Sequence, residues 1–502
     1  MTNLDLLEYI GEIDDRYILE SRRRPKAKKV QWPMILAACA MFAIMVGVGA
    51  IALREHWLAN TMGQEQVGVD GPASAGSEVS PEQTQDGKDL PVSAYGATLL
   101  AGAEYPEAIG YEDYEAQSDR WVENQVSEDT HYALKAFAYS TAAKVFAERT
   151  DSECYSPLSL YQALAMLAGG AEGQSQAELL SLLGQPDLET LQDQTGKLYR
   201  VNHSDNEVDI LQIASSLWLD ETAADGSPVS YKEDWVLSTA ANYYADVYQV
   251  EFSDPETVGA LGSWIAERTG GFLQPTAAEL ALPEDTVMAL VNTLWYKVHF
   301  QEEFDPADTE TGDFTRSDGT VVSAEFMHQT DDMGSYARGE GYTKAYLGLS
   351  RGSMTVVLPD EGTSVDALLT EERLWDVFES GEEKSAEVRW SVPKFETNAV
   401  YDLESSLKSL GVSDAFDWAA ADFSRISDTP LVLAKVQQGT HIAVNEEGVE
   451  AAAYTLMGME AMGLPEEDPE VIEMTLNRPF IYLIKSNNGS PLFIGVVRDP
   501  SK

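Results

Sequence analysis

Cysteine is nearly missing from this sequence: Cys39 and Cys154 are the only two in 502 residues. No disulfide framework is available, so folding has to rest on packing. Cys39 lies in an apolar run, and Cys154 reads as a small buried hydrophobe rather than a catalytic thiol, which would need an activating partner. Positive charge is scarce as well. Against 84 Asp and Glu stand 33 Lys and Arg, a formal net charge of −51. Such a chain repels phosphate instead of neutralising it, so no nucleic-acid partner is expected, and a basic partner is the natural counterpart. Histidine is thin, with six residues at 56, 131, 203, 299, 328 and 441 scattered singly. Acidic clusters such as Glu302-Glu303, Asp331-Asp332 and Glu466-Glu467-Asp468 are expected by chance in so acidic a chain and lack the donor spacing of a calcium loop. Neither a metal nor a cofactor is expected.

Catalytic signatures are missing too. There is no Gly-x-Ser-x-Gly elbow, no His-Glu-x-x-His, no Walker glycine loop and no paired Cys motif. A hydrolase or transferase should show a nucleophile with a base, and none is visible, so the chain is not read as an enzyme. No repeat of fixed period is apparent, which argues against a solenoid or propeller.

What is present begins with an amphipathic stretch, Leu4, Leu6, Leu7, Ile10, Ile13 and Ile18, followed by the basic cluster Arg22, Arg23, Arg24, Lys26, Lys28 and Lys29. Pro33 to Leu53 then gives twenty-one residues without charge, long enough to span a hydrocarbon core as a helix. The basic cluster ahead of it predicts a cytoplasmic amino terminus and an extracellular bulk. Leu36-Ala37-Ala38-Cys39 resembles a bacterial lipoprotein box, but the apolar stretch before Cys39 is short for a cleaved signal and runs well past it. An uncleaved anchor in a single-pass protein of the cell membrane is the preferred reading. The expected organisation is a cytoplasmic basic segment (1–32), a transmembrane helix (33–53), an acidic flexible tether (54–130) and a folded domain (131–502). Lys88 and Arg120 are the only basic residues between Glu55 and Thr130, and the Gly, Ser, Pro, Glu and Gln content there is that of a linker. Tyr105, Tyr111, Tyr114 and Trp121 are its candidates for docking on the domain.

The domain reads as α+β. An amphipathic helix is predicted around His131 to Glu148, and Ser156 or Ser159 is placed to cap a helix over the apolar run Leu160 to Leu167. Strand-like runs at Val208 to Leu219, Val287 to Phe300, Met354 to Leu358, Ala386 to Phe395 and Leu431 to Val444 are separated by helical patterns such as Ser253 to Arg268 and Leu403 to Leu410. Between the run that ends at Val436 and the next at Phe480 lies a connection too long for an ordinary hairpin. In its first half Val449, Ala451, Ala453 and Thr455 alternate with Glu450, Ala452 and Tyr454 in the period of a strand. A short helix, favoured by Ala and Glu, is the competing reading.

These residues carry a resemblance. Asn445-Glu446-Glu447-Gly448-Val449-Glu450-Ala451-Ala452-Ala453 is similar to the hinge of the serpin family, and Asn477-Arg478-Pro479-Phe480 with Pro491-Leu492-Phe493-Ile494-Gly495-Val496-Val497 resembles its closing signature. Val291 to Lys297, Phe304-Asp305-Pro306 with Thr309 and Phe314, and Val392-Pro393-Lys394-Phe395 with Tyr401-Asp402-Leu403 match further segments. The resemblance implies a serpin-like α+β fold with three β-sheets, about nine helices and an exposed reactive loop, in a monomer. It implies a suicide-substrate inhibitor of serine proteases, cleaved in the loop and held to the protease as a covalent acyl complex while the hinge half inserts into the main sheet. The implied hinge is Glu446, Gly448, Val449, Glu450, Ala451, Ala452, Ala453 and Thr455. The implied sheet-opening region is Ser156, Ser159, Asn292 and Gln438, and family spacing from the hinge glycine sets the reactive bond at Met462-Gly463. Met462 suits an elastase-like or chymotrypsin-like primary pocket. Two departures matter: the family's histidine at the sheet opening falls on Gln438, and the tryptophan expected after Lys297 falls on Phe300. The rival readings are a non-inhibitory serpin and a membrane-tethered surface binding module.

Overall fold

The run Met288–His299, MALVNTLWYKVH, is rich in β-branched and aromatic side chains and buried on both faces, as expected of a strand at the centre of a sheet covered from both sides. A computed structural model describes residues 95–147, 149–223, 226–280, 282, 286–449 and 470–501. Every described residue falls in one compact unit, within 87–502. The segments 1–32 and 33–53 lie outside the described residues. Among those described, no helix is long and apolar enough to cross a membrane.

The eight-stranded sheet that carries the hinge contains, in chain order, β1 (Thr98–Ala101), β2 (Ile210–Asp220), β3 (Ala245–Val250), β4 (Met288–His299), β5 (Phe395–Asp402), β6 (Lys435–Val444) and β7 (Gly448–Val449), together with the two-residue strand Ser204–Asp205 that pairs with β2. Their spatial order is β1-β3-β2-β4-β7-β6-β5, with β4 and β6 also paired directly. β2 and β4 run antiparallel with Ile213 opposite Leu294 and Leu217 opposite Leu290, and β6 pairs antiparallel with β5 from Gln437 to Val444.

Six helices matter for the sites: α1 (Tyr114–Glu123), α2 (Glu128–Val145), α3 (Pro157–Gly170), α4 (Leu188–Asn202), α5 (Glu233–Tyr243) and α6 (Glu256–Arg268). α3, PLSLYQALAMLAGG, begins with a proline whose fixed φ suits the first helical position. It is apolar on almost every side and buried except at Gly169, the pattern of a helix at the centre of a core. It packs behind the sheet, against Leu290, Leu294, Tyr296 and Val298. α6 covers the other face, where Trp264, Leu261 and Ile265 meet Trp218, Tyr248 and Val291. α2 starts three residues earlier than its periodicity indicates, because Ser127 caps it by accepting from Thr130 N at 3.2 Å.

The second sheet has nine strands. Its long member, Val321–Gly339, pairs with Lys384–Pro393 over most of its length and with Tyr342–Leu349 at its end. The second and third sheets implied by the resemblance are therefore joined into one hydrogen-bonded ladder. Nine α-helices lie among the described residues.

The folded body begins ahead of His131. Inside the stretch 54–130 read as a tether, β1 adds to the sheet edge with Leu99 opposite Tyr248. α1 follows, capped by Asp113, whose carboxylate accepts from Ala116 N. Tyr105 stacks on Tyr199 and His203 with centroids 6.4 and 6.2 Å apart. The acidic, Gly- and Pro-containing composition disguises a strand of four residues and a docking ring, both held by tertiary contacts and not by local propensity.

Candidate functional site

At one end of the sheet the two central strands part, and the hinge enters the fork. β4 and β6 pair in parallel from Ala289 with Lys435 to Leu294 with Thr440. Beyond that point β7 takes the place between them: Gly448 and Val449 lie opposite His299 and Val298 of β4, and Val449 also lies opposite Val444 of β6, antiparallel to both. The strand reading of the hinge therefore holds at Gly448 and Val449, not the helical one. Val449 is fully buried and shares the inner core with Val298 and Val444.

The turn that delivers the hinge is fixed by backbone and side-chain bonds. Phe300 N donates to Glu447 O and Phe304 N to Glu446 O, each at 2.9 Å, while Asn445 Oδ1 accepts from Glu447 N and Gly448 N at 3.0 and 3.3 Å. Gly448 has φ +155°, and a Cβ there would lie 2.2 Å from Val298 O, so only glycine lets the hinge enter this close to β4. The Glu446 carboxylate accepts from Thr309 Oγ1 at 2.8 Å and pairs with Lys394 Nζ at 3.4 Å. Burial pushes its pKa up, but the backbone hydrogen bond, Thr309 and Lys394 together hold it below the usual carboxylate range. Thr309 and Lys394 stand in the segments that carried the resemblance, yet nothing in sequence assigned them to the hinge; the contact spans 137 positions from Thr309.

Where β4 and β6 still touch, all four residues of the implied sheet-opening region come together, each fully buried. Asn292 and Gln438 are opposite one another across the strands. Gln438 Oε1 accepts from Ser156 N at 3.1 Å, and its Nε2 donates to Ser156 O at 2.8 Å and toward Asn292 Oδ1 at 3.4 Å. Ser159 Oγ donates to Asn292 Oδ1, and Asn292 Nδ2 donates to Ser215 Oγ at 2.9 Å. Neither serine hydroxyl caps α3: Ser156 sits at the cap position without a side-chain bond, and Ser159 lies inside the helix. The amide of Gln438 serves the Ser156 backbone instead. Removing it in Gln438→Ala is expected to cost about 3 kcal/mol, from an orphaned buried donor and a cavity; an unchanged urea-unfolding midpoint would contradict this role.

Phe300, the second departure, is also buried and meets Phe304 edge to face at 5.3 Å. Cys154 is fully buried and forms no disulfide among the described residues. Glu450, Ala451, Ala452, Ala453, Thr455 and the Met462-Gly463 bond lie outside the described residues. The chain is described again from Glu470, ahead of Val471–Thr475, which pairs in parallel with Lys384–Pro393 at the edge of the second sheet. Residues 450–469 thus connect the two sheets.

A family model described as "Serpin (serine protease inhibitor)" matches residues 132–500. Alpha-1-antitrypsin from Meriones unguiculatus is 29% identical over 365 residues, covering 69% of this chain and 84% of that protein. Among solved structures, the thermophilic serpin tengpin in its native state is similar with a TM-score of 0.67 and 26% identity, over 80% of this chain and 99% of tengpin. Thyroxine-binding globulin complexed with thyroxine shares the fold with a TM-score of 0.63 at 24% identity, over 74% of this chain and 100% of that one.

Proposed function

The chain belongs to the serpin family, whose members are in general protease inhibitors, and we propose that it is a suicide-substrate inhibitor of serine-type endopeptidases. The observation that carries this reading is the hinge already seated in the fork between β4 and β6. Continued in the same register, the loop would place Glu450 opposite Lys297, Ala451 opposite Tyr296, Ala453 opposite Leu294 and Thr455 opposite Asn292. Tyr296 and Leu294 face the inner core. The inner row of the inserting strand is then Val449, Ala451, Ala453 and Thr455, all of a size and polarity that can be buried, while Glu450 falls on the outer face beside a lysine.

The proposed reaction follows the family. The protease serine attacks the carbonyl carbon of Met462, the Met462-Gly463 peptide bond breaks, and the Gly463 amine leaves with a proton while Met462 stays esterified to the protease. Insertion of the hinge half carries the acyl-linked enzyme away from the loop's starting position. A methionine side chain fits an apolar primary pocket, and no Lys or Arg stands between Asn445 and Leu476 to suit an acidic one. The net charge of −51 favours encounter with a basic protease, an effect that weakens with salt. Residues 33–53 are proposed as the membrane anchor with the serpin body outside the cell, which protease added to intact cells would test.

Incubation with elastase-like and chymotrypsin-like proteases is expected to give a complex that survives denaturing electrophoresis and a small carboxy-terminal fragment beginning at Gly463 by mass spectrometry. A different first residue overturns the bond assignment. Cleavage without any complex supports the non-inhibitory reading instead.

A further inference from the structure

Residues 95–105 stand ahead of the stretch matched by the family model, yet they grip the helix that covers the outer face of the sheet. β1 forms the sheet edge against β3, with Thr98 opposite Gln249 and Leu99 opposite Tyr248. Tyr95, Ala97 and Leu99 pack into the apolar cluster beneath α6, with Trp264, Ile265 and Leu273. The segment is fixed beyond β1 by Glu104 N, which donates to Ala240 O of α5 at 3.3 Å, and by the Tyr105 ring stacked on Tyr199 and His203.

Its polar contacts converge on the last turn of α6. Tyr95 Oη donates to the Glu267 carboxylate, and the Arg268 guanidinium lies over the Tyr105 ring, 5.5 Å from the centroid. Asp246, on β3, joins the two segments. One of its carboxylate oxygens accepts from Ala103 N at 3.0 Å, and the other accepts from Arg268 Nη2 and Trp264 Nε1, each at 2.9 Å. Asp246 is buried, so these bonds are little screened by salt, and a cation held over a ring in such a setting is worth more than one at the open surface.

That last turn leads directly into the cover of the seam between β4 and β6. Thr269 Oγ1 accepts from Leu273 N at 3.2 Å, which folds residues 269–273 into a turn. On the β4 side, Gly270 lies so close to the Trp295 ring that a Cβ would be 2.8 Å from it. On the β6 side, Leu273 fills the space above Gly439, where a Cβ would meet Leu273 Cδ2 at 2.3 Å, and Phe272 stacks on His441 at 5.2 Å. The turn thus spans both strands at the level where their parallel ladder ends, at Leu294 with Thr440. In a close-packed interior β4 and β6 cannot part there without displacing Phe272 and Leu273.

We propose that residues 95–105 act as a strap that keeps the sheet shut: by gripping Glu267 and Arg268 they hold the turn 269–273 down across β4 and β6 and restrain the parting of those strands. The consequence for inhibition rests on the loop-insertion reading above, in which the strap sets how readily a cut loop enters the sheet.

Hydrogen exchange read by mass spectrometry on the full chain tests the strap without any protease. Tyr105→Leu removes the ring that meets Arg268, and Tyr95→Phe removes the hydroxyl that meets Glu267 while keeping its ring. The double variant should speed exchange about tenfold at residues 264–273 and along the seam, at 289–294 and 435–440, and leave Phe480–Lys485 of the second sheet unchanged. Tyr105→Phe alone should exchange like the unmodified chain, because the Tyr105 hydroxyl is buried without a hydrogen-bond partner and the ring carries the contact. No acceleration beyond residues 95–105 would overturn the proposal, since strap and cover would then be uncoupled. Equal acceleration at Phe480–Lys485 would overturn it as well, since the variants would then loosen the whole fold. Neither outcome depends on a protease being inhibited, so the strap and the inhibitory reading fail separately.

Discussion

Thr455→Arg is expected to convert the protein from an inhibitor into a substrate, lowering the yield of covalent protease complex more than tenfold while the loop is still cut. Continued from the pairing of Val449 with Val298 and Val444, the inserting strand brings position 455 between Asn292 and Gln438. Both are fully buried. Behind them stand Ser156 at the cap of α3 and Ser159 within it, and among the described residues no carboxylate belongs to the hydrogen-bonded cluster they form. A threonine hydroxyl can join that cluster. A guanidinium there would be desolvated without a counter-ion, which costs several kcal/mol, enough to slow insertion below the rate at which the acyl-enzyme hydrolyses. Val449→Arg is a less selective probe, since Val449 is already buried in the fork and its replacement would disturb the uncleaved chain. Glu450→Gln, on the outer face, serves as the control and should leave complex formation intact. Equal complex yields from Thr455→Arg and the unmodified protein would contradict insertion in this register.

The sequence carried the start of the hinge, Gly448 and Val449, and the strands around it because their signals are local. The alternation around Val449, the apolar run of β4 and the glycine at 448 each follow from steric rules that act within a few residues. Predicted and observed bounds agree closely for β4, Val287 to Phe300 against Met288–His299. They differ more at β6, where the apolar run from Leu431 begins four residues before the ladder does at Lys435. Leu431, Val432 and Leu433 are buried without pairing as part of that strand. What local pattern could not convey is long-range contact: Glu446 on Thr309 and Lys394, Gln438 on the backbone of Ser156, and Tyr105 on Arg268 at the end of α6. The two serines illustrate the limit. Their position before an apolar helix suggested capping, and only the approach of β4 and β6 turned them toward Asn292 and Gln438.

Cutting the loop is expected to raise the thermal midpoint by roughly 10 °C, on the following balance. In the intact chain β4 and β6 are joined by a parallel ladder running from Ala289 with Lys435 to Leu294 with Thr440. Insertion gives up that ladder for two antiparallel ones, which are slightly more stable per residue. β4 extends from His299 back to Met288, so in the register of Gly448 and Val449 it can pair with the loop from Glu450 as far as Met459. A strand of that length bonded on both sides gains about 10 hydrogen bonds net of those lost, at about 1 kcal/mol each. The unfolding entropy of about 2 cal/mol/K per residue turns this gain into the stated shift for a body spanning residues 95–502. The opposing term sits at Gln438 and Asn292, whose bonds to Ser156 and Ser159 have to adjust as the strands separate. Tyr454 adds a second, because it would emerge on the outer face opposite Gly439, where Leu273 and Ile265 now lie close, and α6 must yield to admit it. Thermal scans of the full chain before and after limited loop proteolysis measure the outcome. Equal midpoints would mean that these bonds and α6 keep the sheet shut, and the chain would then be a serpin that is cleaved without inhibiting.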